Sequence, residues 1–258
     1  MTAQGRPVIG WRERAAALPG LAPERFEIDP GRTALLVVDL QYADAHRDFG
    51  LGKSLRAGFP EIWDYYYGRI EQLVIPNTTR LLEAFRAAGL RVLFLTLGPV
   101  LPDGADMVPL RRPETTPGLT PVFFHSGSPE LRILPEVAPI DGELVVNKTS
   151  RGAFASTAID HVLRNMDIGS LVVAGVSTSS CVETTAREAA DRGFKVVIVE
   201  DATAELDEHS HEASLCQFAI RWGRVWTCGE TLEALQRAGA DIPIGPVGRR
   251  ASEREGGG

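Results

Sequence analysis

The chain has 258 residues, of which 44% are hydrophobic and 24% charged, with a formal net charge of -7 and an isoelectric point near 5.3. That length and balance suit one large α/β domain with a full core. They exclude a basic nucleic-acid surface, and no apolar run reaches the length of a membrane span.

Residues 1–10 lack the apolar core of a signal peptide, so a cytoplasmic protein is expected. The three cysteines, Cys181, Cys216 and Cys228, are too few and too scattered for a disulfide framework or a zinc cluster. A reduced and reactive thiol fits better.

Residues 1–30 mix prolines, glycines and charges without periodicity, which predicts an extended N-terminal arm ahead of a domain over 31–238. Thr33 to Gln41 is then a buried strand that ends in a carboxylate, Asp39. The carboxyl end of such a strand is where open α/β sheets bind ligands, although an Asp there also commonly caps a helix. Tyr42 to Tyr67 reads as irregular and aromatic, lining either a pocket or the core. Pro76 to Ala88 is an amphipathic helix, with Leu81, Leu82, Phe85 and Ala88 on one face and Gly89 at its end. Arg91 to Thr96 returns as a second strand with a right-handed crossover. Gly98 to Pro139, rich in Pro and Gly, is a loop long enough to cover a site.

Glu143 to Asn147 makes the third strand, with Lys148 at its carboxyl end, in either the site or solvent. A helix through Ile159, Val162, Leu163 and Met166 leads to the strand Ser170 to Ala174. After it, Ser180 and Glu183 have the spacing of a capping box, which makes Cys181 the first residue of a helix ending at Gly193. Unpaired N–H groups and the positive helix end would favour a thiolate there; otherwise Cys181 is a small buried hydrophobe. Lys195 to Val199 is a fifth strand and Asp207 to Trp222 a helix burying Leu215, Phe218, Ala219 and Trp222, with His209 and His211 at its start read as surface residues. Arg224 to Cys228 and Thr231 to Arg237 complete six strands alternating with helices, and residues 239–258 read as a mobile C-terminal tail. The pattern predicts a doubly wound, mainly parallel six-stranded sheet.

A thiol nucleophile needs a base, a cation to hold charge and donors for the oxyanion. Asp39 and Lys148 supply the first two, and the N–H of Cys181 with one from the preceding turn the third.

The segments Leu36 to Gln41, Asn147 to Phe154 and Ala174 to Ala186 resemble the signature blocks of the isochorismatase-like cysteine hydrolases, over about residues 30–235. The resemblance implies a sheet of order 3-2-1-4-5-6 and a cis peptide at Val176–Ser177, with the N–H groups of Ser177 and Cys181 as the oxyanion hole. It makes Asp39 the base, Lys148 the electrostatic partner and Cys181 the nucleophile of an amidohydrolase. The substrate would be a small carbamoyl, ureido or carboxamide compound, cleaved through a thioester with release of ammonia or an amine. The family's nicotinamidases carry a histidine-containing metal cluster after the first strand. Asp44, His46 and Asp48 do not reproduce it; they form either a weak chelating group or, as expected, a solvated loop, so neither a metal nor another cofactor is expected. Gln41, Tyr66, Phe124, His125, Arg151 and Phe154 are the candidate substrate contacts. A homo-oligomer, dimer or tetramer, is implied, with no nucleic-acid or membrane partner. The alternatives are a non-catalytic binding module on the same fold, or hydrolysis of a lactam or another non-amide bond.

Overall fold

The computed structural model describes residues 10–18, 26–108 and 126–242. Six strands form one sheet: β1 (Thr33–Val38), β2 (Arg91–Leu97), β3 (Leu144–Lys148), β4 (Ser170–Val176), β5 (Lys195–Ala204) and β6 (Arg224–Trp226). Their order is β3-β2-β1-β4-β5-β6 and every pairing is parallel. The helices are α1 (Trp11–Ala16), α2 (Tyr42–Ala45), α3 (Gly50–Gly58), α4 (Pro60–Arg69), α5 (Ile75–Ala87), α6 (Ala153–Ser156), α7 (Ile159–Asn165), α8 (Glu183–Asp191), α9 (Glu208–Arg221) and α10 (Cys228–Arg237).

Successive side chains of β1 point to opposite faces, so its uninterrupted apolar run serves two cores. Leu35 and Val37 join Tyr66, Tyr67, Leu81, Phe85 and Leu232 on one face, from α4, α5 and α10. Leu36 and Val38 join Leu163, Ala186, Ala189, Leu215 and Phe218 on the other, from α7, α8 and α9. The chain leaves β1 in one direction and β4 in the other, and between their carboxyl ends opens the crevice where such sheets bind ligands.

Four local readings are corrected. The stretch from Tyr42 to Tyr67 is helical, and from Pro60 to Ala87 the chain runs on through a π-helical turn, Ile70–Val74. Trp63, Tyr66, Tyr67 and Ile70 have helical spacing, but Pro76 hides the continuity; the wide turn takes up the hydrogen bond that a proline cannot make. Within the stretch read as an extended arm, Trp11–Ala16 is helical, and α1 is clipped to the core by Trp11, which is buried and donates from Nε1 to Glu200 at 2.9 Å. Strand β5 runs five residues beyond Val199, to Ala204. It bulges where Glu200 and Asp201 interrupt the apolar run, and its register on β4 jumps from Val173↔Ile198 to Gly175↔Thr203. Helix α10 begins at Cys228, capped by a reciprocal Thr227–Glu230 box.

Candidate active site

Asp39 follows β1 directly and sits at φ 51°, a left-handed conformation that Asp tolerates better than most residues. Its N–H still donates to Leu95 O at 2.9 Å, so the residue is fixed to the sheet end. Lys148 is the last residue of β3, two strands away, and its side chain crosses the end of β2 completely buried. Its ammonium donates to Asp39 Oδ2 at 2.7 Å and to Ser150 O at 3.4 Å. Burial alone would push this amine down; Asp39 and the hydrogen-bonded Cys181 outweigh it and hold the pKa above the ordinary lysine value. Asp39 Oδ1 is buried and has no hydrogen-bond partner among the described residues. One oxygen of the carboxylate therefore holds the cation, and the other keeps an open lone pair.

Cys181 lies at the carboxyl end of β4, in a π-helical turn, Thr178–Val182, that runs into α8. The expected capping box is absent: Ser180 does not cap, and the Glu183 carboxylate accepts from Ser214 Oγ at 2.8 Å and pairs with Arg187. The turn starts instead at Ser177, whose carbonyl accepts from Ser180 N at 3.1 Å and Val182 N at 3.2 Å. The Val176–Ser177 peptide is cis. Gly175 permits the approach of β4 to β1. At φ 123° a Cβ there would lie 2.0 Å from Val38 O, so any other residue would push the Cys181 turn away from Asp39.

An isochorismatase domain model matches residues 33–230, most of the chain and all three of these strand ends. The chain belongs to the isochorismatase family. It is 31% identical over 215 residues to the ureidoacrylate amidohydrolase RutB of Variovorax paradoxus, covering 80% of this chain and 81% of that one. It is 32% identical to the isochorismatase family protein YwoC of Bacillus subtilis, over 82% of this chain and 98% of the relative. Among solved structures, a cysteine hydrolase from Pseudomonas syringae pv. phaseolicola superposes with a TM-score of 0.69 at 27% identity, covering 84% and 98% of the two chains. The N-carbamoylsarcosine amidase of Thermoplasma acidophilum shares the fold, with a TM-score of 0.56 at 24% identity over 76% and 96%.

Within this isochorismatase fold the remaining candidate residues separate. Tyr66 is fully buried with its hydroxyl 3.5 Å from Ser177 Oγ, and burial, with Tyr67 beside it, raises its pKa so that it stays a phenol. Gln41 is committed to the scaffold: Nε2 donates to Leu131 O (2.6 Å) and Leu97 O (3.4 Å), and Oε1 accepts from Leu97 N (2.7 Å). Phe154 is buried against Phe194, 5.8 Å between ring centroids, under the Arg192 guanidinium at 5.1 Å. Phe194 immediately precedes β5, at the amino end of the sheet, so this ring packs core away from the crevice. Arg151 is exposed just beyond β3, and Phe124 and His125 lie outside the described residues. His46 stacks between Tyr42 and Phe49, and no group of three or more His, Cys, Asp or Glu among the described residues is placed to hold a metal.

Three residues around the Cys181 turn were not picked out from the sequence. Glu205 accepts from Ser179 N (2.8 Å) and Ser179 Oγ (2.6 Å). His211, read as a surface residue, is buried and contacts Thr178 and Arg69. For His211 a signal existed: it falls four and seven residues before Leu215 and Phe218, on the apolar face of α9. Arg69 and Glu205 carried none, because their partners lie on distant segments and are chiefly backbone groups.

Proposed function

We propose that this protein is a cysteine-dependent amidohydrolase that cleaves a carbon–nitrogen bond, outside peptides, of a small carbamoyl, ureido or carboxamide substrate. The enzyme class follows from the family and its ureidoacrylate amidohydrolase relatives. The observation that carries the mechanism is the division of labour on Asp39, with Oδ2 on the buried Lys148 ammonium and Oδ1 unpartnered.

In this scheme Asp39 Oδ1 takes the Cys181 proton as the sulfur attacks the substrate carbonyl. Lys148 keeps both the carboxylate and the thiolate compensated in a site without bulk water. The carbonyl π pair moves to oxygen, and the oxyanion is held by the N–H groups of Ser177 and Cys181. Protonated Asp39 then gives its proton to the leaving nitrogen, which departs as ammonia or an amine and leaves a Cys181 thioester. Water, deprotonated by Asp39, hydrolyses the thioester and restores the thiol. Tyr66, a buried phenol beside Ser177, and Arg151, an exposed cation just beyond β3, are the substrate contacts this reading retains.

The test is ammonia release from 3-ureidoacrylate, N-carbamoylsarcosine and simple carboxamides by wild type and Cys181→Ala. Turnover of at least one compound is expected, with the variant at least about 1000-fold slower. Equal release by both proteins refutes a thiol nucleophile. The same reading includes a homo-oligomer, dimer or tetramer, for which light scattering gives the mass directly.

A further inference from the structure

The nucleophile turn is held from behind by a hydrogen-bond chain that the mechanism above does not use. Arg69, the last residue of α4, donates from Nε to Thr203 O at 2.9 Å and from Nη2 to Glu200 O at 2.7 Å, across the bulge of β5. The same Nη2 lies 2.8 Å from His211 Nε2. A guanidinium has only donors, so Nε2 is the acceptor and the imidazole proton resides on Nδ1. His211 Nδ1 is 2.9 Å from Thr178 Oγ1 and in this tautomer donates to it. Thr178 is the residue after Ser177 and opens the turn that carries Cys181. Burial and the neighbouring Arg69 push the His211 pKa down to about 3, so the ring stays neutral with one proton at any working pH.

An apolar side chain at this place on α9 would fill the same space without desolvating an imidazole. What the polar chain adds is direction: it allows Thr178 one orientation relative to the β5 bulge. We propose that His211 is a positioning residue: locked by Arg69 in one tautomer, it pins Thr178 and so aims the N–H groups of Ser177 and Cys181 at the oxyanion. This rests on the reading of Cys181 as nucleophile and of those two groups as its oxyanion hole.

The test separates oxyanion binding from thiol reactivity without needing the natural substrate. Butyraldehyde adds reversibly to a thiolate: the S–C bond forms, and the carbonyl π pair moves to an oxygen that the two N–H groups then hold. Its protection of Cys181 against iodoacetamide measures that hold, while alkylation without aldehyde measures the thiol alone. Thr178→Val keeps the side-chain volume and removes the acceptor of the His211 hydrogen bond; Thr178→Ser keeps the hydroxyl; His211→Phe removes the donor.

The expected result is about tenfold weaker protection in Thr178→Val and His211→Phe, with bare alkylation within about twofold of wild type, and protection largely restored in Thr178→Ser. On any amide that wild type turns over, kcat falls with little change in KM. Unchanged protection in Thr178→Val overturns the proposal, and so does a parallel loss of bare alkylation, because the chain would then act on the thiol. If His211→Phe does not fold, the Thr178 pair carries the test. Wild type with no protection at all refutes the oxyanion hole itself, whereas equal ammonia release by wild type and Cys181→Ala refutes the thiol nucleophile, and no release by wild type from any amide refutes the amidase reading, each separately.

Discussion

Lys148 is the residue whose environment departs furthest from its nature. An ammonium with no exposure is tolerable only because Asp39 and Cys181 supply compensating charge and acceptors. Removing one partner leaves the other charge buried and uncompensated. Asp39→Asn and Lys148→Met are each expected to abolish turnover and to lower stability by about 3 to 5 kcal/mol. The double variant has no buried charge left, so it should be more stable than the sum of the singles allows, which urea denaturation of all four proteins measures. Additive losses would mean that the pair is not coupled. Tyr66→Phe removes a hydroxyl 3.5 Å from Ser177 Oγ, a weak contact. Its stability should stay near wild type, and a changed KM would mark the phenol as a substrate contact.

Elements in this protein follow local rules where solvent decides and break them where the site does. Two turns that lead from a strand into a helix carry capping-box spacing, Ser180 to Glu183 and Thr227 to Glu230. At α10 the box forms, with Thr227 Oγ1 accepting from Glu230 N at 3.1 Å and the Glu230 carboxylate accepting from Thr227 N at 2.7 Å. At the Cys181 turn it does not, because Ser214 and Arg187 occupy the Glu183 carboxylate and Glu205 serves the turn from outside. Thermal and urea unfolding should therefore show Thr227→Ala costing about 1 kcal/mol, whereas Ser180→Ala stays within about 0.5 kcal/mol of wild type. A loss at Ser180 as large as at Thr227 would contradict the hydrogen bonding described for this turn.

At the scale of the whole molecule, His211 links the pH dependence of stability to the α4, β5 and α9 packing. Its folded pKa of about 3 lies below the ordinary 6.5. Between those values the unfolded chain binds a proton that the folded one refuses, so stability falls as the pH drops from 6.5 toward 3 and is unaffected above that window. The slope from this one group approaches about 1.4 kcal/mol per pH unit. His211→Gln has no proton to take up. It should be less stable than wild type at pH 8, and the gap should narrow steadily on acidification. A gap independent of pH would show that the ring is not held neutral by burial beside Arg69.

The alternation of strands and helices, the apolar runs of β1 and β4, and the three chemical groups at strand ends can be read along the chain, since these depend on residue type and period. Asp39, Lys148 and Cys181 were all legible in this way, and the family resemblance supplied the strand order that joins them. Only the tertiary structure decided which oxygen of Asp39 faces Lys148, that Gln41 and Phe154 serve the scaffold, and that the helix carrying Cys181 begins at a wide turn without a side-chain cap. Arg69, Glu205 and His211 emerged only there as well. Their partners lie far away in sequence and two of them bond chiefly to backbone groups, which carry no residue-specific signal along the chain. The physical reason is common to all of these: a side chain's preference is local, but what a polar group finds within hydrogen-bond reach is set by which segments the sheet brings together.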